Sequence, residues 1–375
     1  MTAPLRFAVV GCGVIGKLHA EVLEASPDTA VSVLVDVDAA AAEKVAQLLG
    51  RAVPVTTSLD EALARDDVDA VAICVPSGAH AQIAVAALEA GRHVVVEKPV
   101  DVTVAAAAPI AAAAAAAPAG TVATVISQHR FDPASVVVRE AVAAGRFGRI
   151  TSAVATVSWY RSQSYYDSGA WRGTWELDGG GALMNQGVHT VDLLLWFLGT
   201  PVDVMAHTGL LAHERVEVED TVAAVVRFES GALATLHATT AAYPGLSVRL
   251  QVMGDAGSAV IDDDRLRYFH SRELASAEAA GDAGVSDARG DRSDQTALVL
   301  ADDEDTDSTR GPMFSGHARQ YRDIVEAIRT GRRPGVTLDD ALLALATVQA
   351  VYESARTGAP VRVADVLAAV EVPLR

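Results

Sequence analysis

Cysteine is almost missing from this chain: Cys12 and Cys74 are the only two among 375 residues. Both sit in apolar, strand-like surroundings and read as small buried hydrophobes. Two such thiols build no disulfide framework, which points to a reducing compartment. Aromatic residues are scarce as well, at 5%. Long hydrophobic runs are also lacking. The nearest to one, residues 104–117, is mostly alanine, broken by Pro109 and followed by Pro118. It reads as a helix packed on a sheet rather than a membrane span. The chain opens with no basic region leading into an apolar core and cleavage site, so a cytoplasmic protein is expected. Basic charge is in deficit: 30 Lys and Arg face 48 Asp and Glu, a formal charge of −18. That balance argues against nucleic acid or an anionic membrane as a partner. A local anionic ligand stays possible, because main-chain dipoles bind phosphate whatever the total charge.

What is present is 50% hydrophobic, rich in alanine and long enough for two domains, each with its own core. Arg6-Phe7-Ala8-Val9-Val10 is a β-rich run that feeds Gly11-Cys12-Gly13-Val14-Ile15-Gly16, and Lys17 to Ala25 reads as helix. In this strand–loop–helix setting Gly11 permits the tight turn, Gly13 lets a pyrophosphate approach the main chain, and Gly16 allows close helix–strand packing. A second apolar run, Ala30 to Val35, ends in Asp36. A carboxylate there would accept bonds from ribose hydroxyls and repel a 2′-phosphate; no Arg immediately follows it, so NAD is expected over NADP. The plainer alternative for Asp36 is a solvated strand end.

Further strands are expected at Val68–Val75, ending in Pro76-Ser77-Gly78-Ala79-His80, and at His93–Val96, ending in Glu97-Lys98-Pro99. In a doubly wound sheet ligands lie at the carboxyl ends of strands, so these turns should border one. Lys98 either points into that cleft or is a surface lysine beside its glutamate. Strands alternate with helices to about Ile126, which implies a parallel sheet. The segment Ser127-Gln128-His129-Arg130-Phe131-Asp132 begins a different pattern. Longer alternating strands follow at Ile150–Arg161, Val202–Thr208, Thr221–Glu229, Ala232–Thr240 and Ser247–Met253. These suggest a mostly antiparallel sheet with one face covered.

Between them lies Gly179-Gly180-Gly181-Ala182-Leu183-Met184-Asn185-Gln186-Gly187-Val188-His189-Thr190-Val191-Asp192. Its three glycines permit a sharp turn and close approach to a bound group. From Ala182 an amphipathic helix is expected, stopping at Gly199, with Asn185, His189 and Asp192 on one face. A polar stripe on a greasy helix is costly unless it has partners or work. His189 is therefore either a satisfied core histidine or a functional one. It makes a poor zinc ligand, with Asn and Gln as neighbours and no second His at ligand spacing, so no metal is expected. The segment Tyr165–Trp175 is aromatic-rich and either covers a ligand or is anchored by buried Trp. Residues 273–307 carry eleven acids against two arginines and read as a solvated excursion. Helices at His317–Thr330 and Leu338–Arg356 close the chain.

Gly11-x-Gly13-x-x-Gly16, Glu97-Lys98-Pro99 and the Gly179–Asp192 stretch, in this order and spacing, resemble the glucose–fructose oxidoreductase/inositol dehydrogenase (Gfo/Idh/MocA) family. The resemblance implies an α/β fold: a Rossmann NAD-binding domain over residues 1–128, then a substrate-binding and oligomerisation domain over 129–375 with an open-faced, mostly antiparallel sheet. It implies NAD(P)-dependent oxidation or reduction of a carbon of a sugar, sugar derivative or polyol such as inositol. It also implies Lys98 at both nicotinamide and substrate, His189 as general acid/base, and a homodimer or homotetramer. Gly11, Gly13, Val14, Ile15, Asp36, Pro76, His80, Glu97 and Gln128 fall where the family places its dinucleotide, and Trp171–Arg172 resemble a pair that reaches it from the second domain. Asn185 departs from an aspartate common there, which puts the proton route in question. Asn185, which can still bond a sugar hydroxyl, is a candidate substrate contact, as are Tyr160, Arg161, Tyr166 and Tyr243. Within the resemblance two other readings stand beside the dehydrogenase: an NAD-recycling glycoside-cleaving enzyme and a non-catalytic dinucleotide-binding sensor.

Overall fold

A computed structural model describes residues 3–274, 293–300 and 311–370. Six short strands form the first sheet: β1 (Leu5–Val10), β2 (Thr29–Val35), β3 (Val55–Thr56), β4 (Ala70–Ile73), β5 (His93–Val96) and β6 (Ala123–Val125). They lie in the order β3-β2-β1-β4-β5-β6 and every pair is parallel. Side chains alternate across a strand, so Phe7 and Val9 face one core while Ala8 and Val10 face the other. Helices Val14–Ala25 and Pro312–Thr330 cover the first face, and helices His80–Glu89 and Val104–Ala116 the second. Burial from both sides explains the near-continuous apolar runs. Strand order reverses between β1 and β4, which opens a crevice at the carboxyl ends of both.

The second sheet has eight strands: β7 (Ile150–Ser158), β8 (Pro201–Gly209), β9 (Thr221–Phe228), β10 (Leu233–Thr239), β11 (Val248–Gly254), β12 (Gly257–Asp262), β13 (Arg265–Ser271) and β14 (Val361–Arg362). Their order is β13-β12-β11-β7-β10-β9-β8-β14, antiparallel except for β7 against β10. Along β9, Val222, Ala224, Val226 and Phe228 are buried while the residues between them are exposed or half-buried. The buried face packs on helices Val188–Leu198 and Leu338–Thr357. On the opposite face Met205 pairs with Val225, 36% and 47% exposed, near Leu233 at 52%.

Three elements differ from the sequence expectations. The β12–β13 hairpin falls beyond the last expected strand, because its turn, Asp263-Asp264, lacks the glycine that marks a tight hairpin. Both residues nevertheless take left-handed φ, +46° and +61°. The helix expected from His317 begins at Pro312, where proline suits a first helical position. The helix expected from Ala182 opens with a π segment, Ala182–Gly187, before the α-helix Val188–Leu198. Most of the acidic 273–307 stretch lies outside the described residues.

Candidate active site

The glycine loop leaves β1 and turns into helix Val14–Ala25. Gly11 has φ +92°, and a Cβ on Gly16 would lie 1.7 Å from the Gly11 carbonyl oxygen, so these two build the loop itself. A Cβ on Gly13 would meet nothing within 4 Å. That open space sits at the amino end of a helix with no acid in its first turn, where free N–H groups favour an anion. Val14 is 89% exposed beside it, and Ile15 is half-buried against the core. Asp36 closes β2: Oδ2 accepts the Cys12 N–H at 2.7 Å and Oδ1 the Asp38 N–H at 2.9 Å. Gln128, 5% exposed, has a side-chain oxygen with no hydrogen-bond partner among the described residues. An open cradle, a carboxylate fixed beside it and a buried unpaired amide oxygen fit a dinucleotide.

Pro76 leads the turn after β4. His80 is buried, its Nδ1 2.9 Å from the Pro99 carbonyl and its Nε2 3.0 Å from that of Val75. Both ring nitrogens are thus engaged by main chain, and His80 ties the ends of β4 and β5 together rather than offering a nitrogen to a ligand. Glu97 is 5% exposed. Its Oε1 accepts from His19 Nε2 at 2.9 Å and lies 3.4 Å from His317 Nε2, while its Oε2 accepts the Lys98 N–H at 3.0 Å. Burial alone would raise this carboxyl, but the two histidines hold it well below the usual carboxylate range. Glu97 therefore anchors the strand end from beneath.

Lys98 Nζ donates to the main-chain carbonyl of Asn185 at 2.8 Å. A regular α-helix commits that carbonyl to its own ladder; the π segment changes the pattern there. Asn185 Nδ2 in turn donates to Asp178 Oδ1 at 2.7 Å, and Asp178 Oδ2 accepts the Gly173 N–H at 2.8 Å. Asn185, His189 and Asp192 thus do not act as one stripe. Asp192 turns to Arg130, with contacts of 2.7 and 2.6 Å, and to the Ser127 hydroxyl at 2.5 Å. Burial raises Asp178 and lowers Lys98; Arg161 and Arg172 push the lysine the same way, while Glu97 and Asp178 oppose them. His189 lies well below the ordinary imidazole range, first because it is buried and then because Lys98 and His129 face it. Lys98 from the first sheet and His189 from the helix under the second both line a small void of about 20 Å³, room for about one water, walled otherwise mostly by apolar side chains such as Val188 and Leu345.

The glycines before this helix serve protein contacts rather than a bound group. A Cβ on Gly181 would lie 1.7 Å from the Glu219 carbonyl oxygen. The buried Glu219 side chain accepts the Gly181 and Leu183 N–H groups at 2.8 and 2.9 Å and the Tyr352 hydroxyl at 3.1 Å. It satisfies main-chain donors that a helix start leaves without partners. Burial pushes its carboxyl up to about 7 against those bonds. A raised folded value means that Glu219 supports stability most fully below its ordinary value of 4.5, and that this contribution is lost as pH rises towards 7. Glu219→Gln should remove that slope. It should also cost about 1–3 kcal/mol, since an amide NH2 would face an N–H donor. Urea midpoints at pH 5 and pH 8 measure both effects.

Tyr165 gathers the aromatic loop. The Arg172 guanidinium lies over Tyr165 and Trp171, 4.5 and 4.3 Å from their ring centroids, and donates to the Tyr165 hydroxyl at 2.9 Å. Arg161 lies over Tyr165 and Trp159. Tyr166 is 6% exposed, and its hydroxyl meets Thr240 Oγ1 at 2.8 Å, so it is an interior residue and not a substrate contact. Tyr160 and Tyr243 pack edge to face, 39% and 79% exposed. Sequence reasoning missed Asp178, Glu219 and Tyr165. Tyr165 stood in the aromatic segment already singled out and Asp178 directly before the glycine stretch, while no local signal marked Glu219.

Residues 5–125 match an oxidoreductase family with an NAD-binding Rossmann fold, and residues 136–260 match the C-terminal domain of the same GFO/IDH/MocA group. The chain belongs to the Gfo/Idh/MocA oxidoreductase family. Within it, inositol 2-dehydrogenase of Rhizobium meliloti (strain 1021) is 28% identical over 265 residues, 70% of this chain and 76% of the relative. scyllo-Inositol 2-dehydrogenase (NAD(+)) of Bacillus subtilis (strain 168) is 27% identical over 369 residues, 96% of this chain and 97% of the relative. Among solved structures, the WlbA dehydrogenase from Bordetella pertussis, in complex with NADH and UDP-GlcNAcA, is similar with a TM-score of 0.83 and 30% identity. That likeness covers 96% of this chain and 98% of WlbA. For a Gfo/Idh/MocA chain the Asn at 185 leaves a carboxylate nearby all the same, on Asp178.

Proposed function

We propose that this chain transfers hydride between NAD and a secondary alcohol or ketone carbon of a sugar, sugar derivative or polyol such as inositol. The observation that carries the reading is the meeting of Lys98 and His189: Lys98 Nζ bonds the Asn185 carbonyl, four residues before His189, and its charge faces the imidazole. The names of the relatives support a cyclic polyol or sugar as the substrate class. The open cradle at Gly13, Asp36 and Gln128 would hold the dinucleotide, whose nicotinamide supplies the hydride acceptor. Asp36 disfavours a 2′-phosphate and so favours NAD. A neutral His189 takes the hydroxyl proton as the alcohol is oxidised. The Lys98 ammonium stabilises the developing alkoxide, or polarises the carbonyl in reverse. Arg172 and Trp171, held by Tyr165, would close the site from the second sheet.

The test mixes purified protein with NAD or NADP and a panel of inositols, free sugars, uronic acids and UDP-sugars. Nicotinamide absorbance should rise with at least one alcohol, and more with NAD. Tight NAD binding without turnover of any alcohol would instead favour a sensor, and glycoside cleavage without net NADH would favour a recycling enzyme. The exposed Met205–Val225–Leu233 face suits a second copy of the chain, since contiguous exposed apolar surface marks an interaction site. Sedimentation should therefore give a dimer or tetramer, and Val225→Glu should shift it towards monomer. The buried free thiols Cys12 and Cys74 suit a reducing cytoplasm, and no described helix is long and apolar enough to cross a membrane.

A further inference from the structure

His129 has no part in the proposed chemistry, yet it stands against the proposed base. It lies in the short turn Gln128–Phe131 that follows β6. Its ring meets that of His189 edge to face, with centroids 5.0 Å apart and planes at 85°. Its Nδ1 sits between two carboxylates from different elements: Asp132 Oδ2 at 2.8 Å, before helix Pro133–Ala143, and Asp264 Oδ1 at 3.1 Å, from the β12–β13 hairpin. A nitrogen flanked by two carboxylate oxygens must carry a proton, and two anions favour a second one on the ring. The hairpin is held in a costly way, since Asp263 and Asp264 both take left-handed φ without glycine's freedom. Such a conformation persists where surrounding structure over-determines it, often beside a functional site.

His189 faces Lys98 and Glu97 from the end of β5, His129 from the turn, and His317 from helix Pro312–Thr330. His129 faces Asp132 and Asp264, and Asp132 also meets Arg319 at 3.5 Å. We propose that His129 is a positioning residue of the proton step: an imidazolium clamped by Asp132 and Asp264 whose charge holds the adjoining His189 as the neutral base. The inference rests on the dehydrogenase reading above. Burial lowers His129, but its bonds to the two carboxylates outweigh this and raise it to about 10. The sign for His189 is the reverse: a neighbouring cation disfavours its protonated form, so it stays able to accept a proton as pH falls. An alcohol proton taken up by His189 is then pressed to leave again, which readies the site for another turnover.

The test titrates the full chain, labelled with nitrogen-15 at histidine, by NMR from pH 4.5 to pH 9, with the His189 ring assigned by its loss in His189→Asn. The same variants are taken through a pH profile of kcat/KM on whichever alcohol reduces NAD. Wild-type His189 should titrate well below the ordinary imidazole range. His129→Gln should raise its midpoint, and the acid limb of the profile, by about one to two units, as expected for a unit charge near 5 Å. His129→Arg, which keeps the charge, should restore the wild-type behaviour. Asp264→Asn, at a side chain 39% exposed, should bring the titration of His129 itself down by about a unit or more. His189 unmoved in His129→Gln, or moved equally in the Gln and Arg variants, overturns the proposal. If His129→Gln does not fold, an unmoved His129 in Asp264→Asn overturns it. Should no alcohol be oxidised at all, the dehydrogenase reading fails, while the NMR titration still decides whether His129 controls His189.

Discussion

His189→Asn is expected to lower kcat by about 100- to 10,000-fold, the range for loss of a positioned general base. NADH affinity should stay within a few-fold of wild type, because the glycine loop and Asp36 lie on the other sheet. Lys98→Met should cost as much in kcat if, as proposed, its ammonium stabilises the reacting oxygen. The two losses should not multiply. Residues that act as one unit on one oxygen show strongly non-additive effects, so the double variant should fall little below the worse single one. Steady-state kinetics with the best alcohol of the panel, together with NADH titration by fluorescence, gives all four numbers. If both single variants kept full turnover, the Lys98–His189 pair would not be the reaction site. Lys98 also bonds the Asn185 carbonyl, so a melting curve on Lys98→Met separates a chemical loss from a loosened helix start.

The second large effect is a contrast within the glycine loop. Gly16→Ala puts a methyl 1.7 Å from the Gly11 carbonyl oxygen, a clash with main chain that no rotamer relieves. It should destabilise the first sheet by about 3 kcal/mol or more and lower Tm by roughly 6–12 °C. Gly13→Ala meets nothing within 4 Å and sits at φ −71°, a conformation any residue adopts. It should leave Tm within about 2 °C. Its methyl would nonetheless occupy the space a pyrophosphate needs, so NADH affinity should drop about tenfold or more, equivalent to about 1.4 kcal/mol. Differential scanning fluorimetry with and without NADH reads both. Equal melting of the two variants without NADH would contradict the steric argument, and full NADH affinity in Gly13→Ala would move the dinucleotide elsewhere.

Much of this molecule is legible from local patterns. The glycine loop, the carboxylate ending β2 and the apolar strands of the first sheet follow from turn geometry and from burial on two faces, both local constraints. The positions of Lys98 at a strand end and His189 on the central helix follow in the same way. Local reasoning failed where long-range contacts decide. Nothing near Asn185 in the sequence says that a π segment will give its carbonyl to Lys98, or that Glu219, more than thirty residues later, will hold the start of that helix. Tyr166 stood among the candidate substrate contacts, yet its hydroxyl turns inward to Thr240.

The order of residues by itself determined a parallel, doubly wound sheet with a dinucleotide loop, a second sheet covered on one face, and the family to which both belong. Periodicity, glycine placement and motif spacing are properties of the chain alone. Tertiary structure alone decided which charges meet. Asp178 reaches Asn185, and Glu97 lies buried between His19 and His317. His129 packs against His189 between carboxylates that arrive from 3 and 135 residues away along the chain. The reason is physical: a proton's affinity for a side chain depends on every charge and dipole within a few ångströms, and only the fold sets those distances.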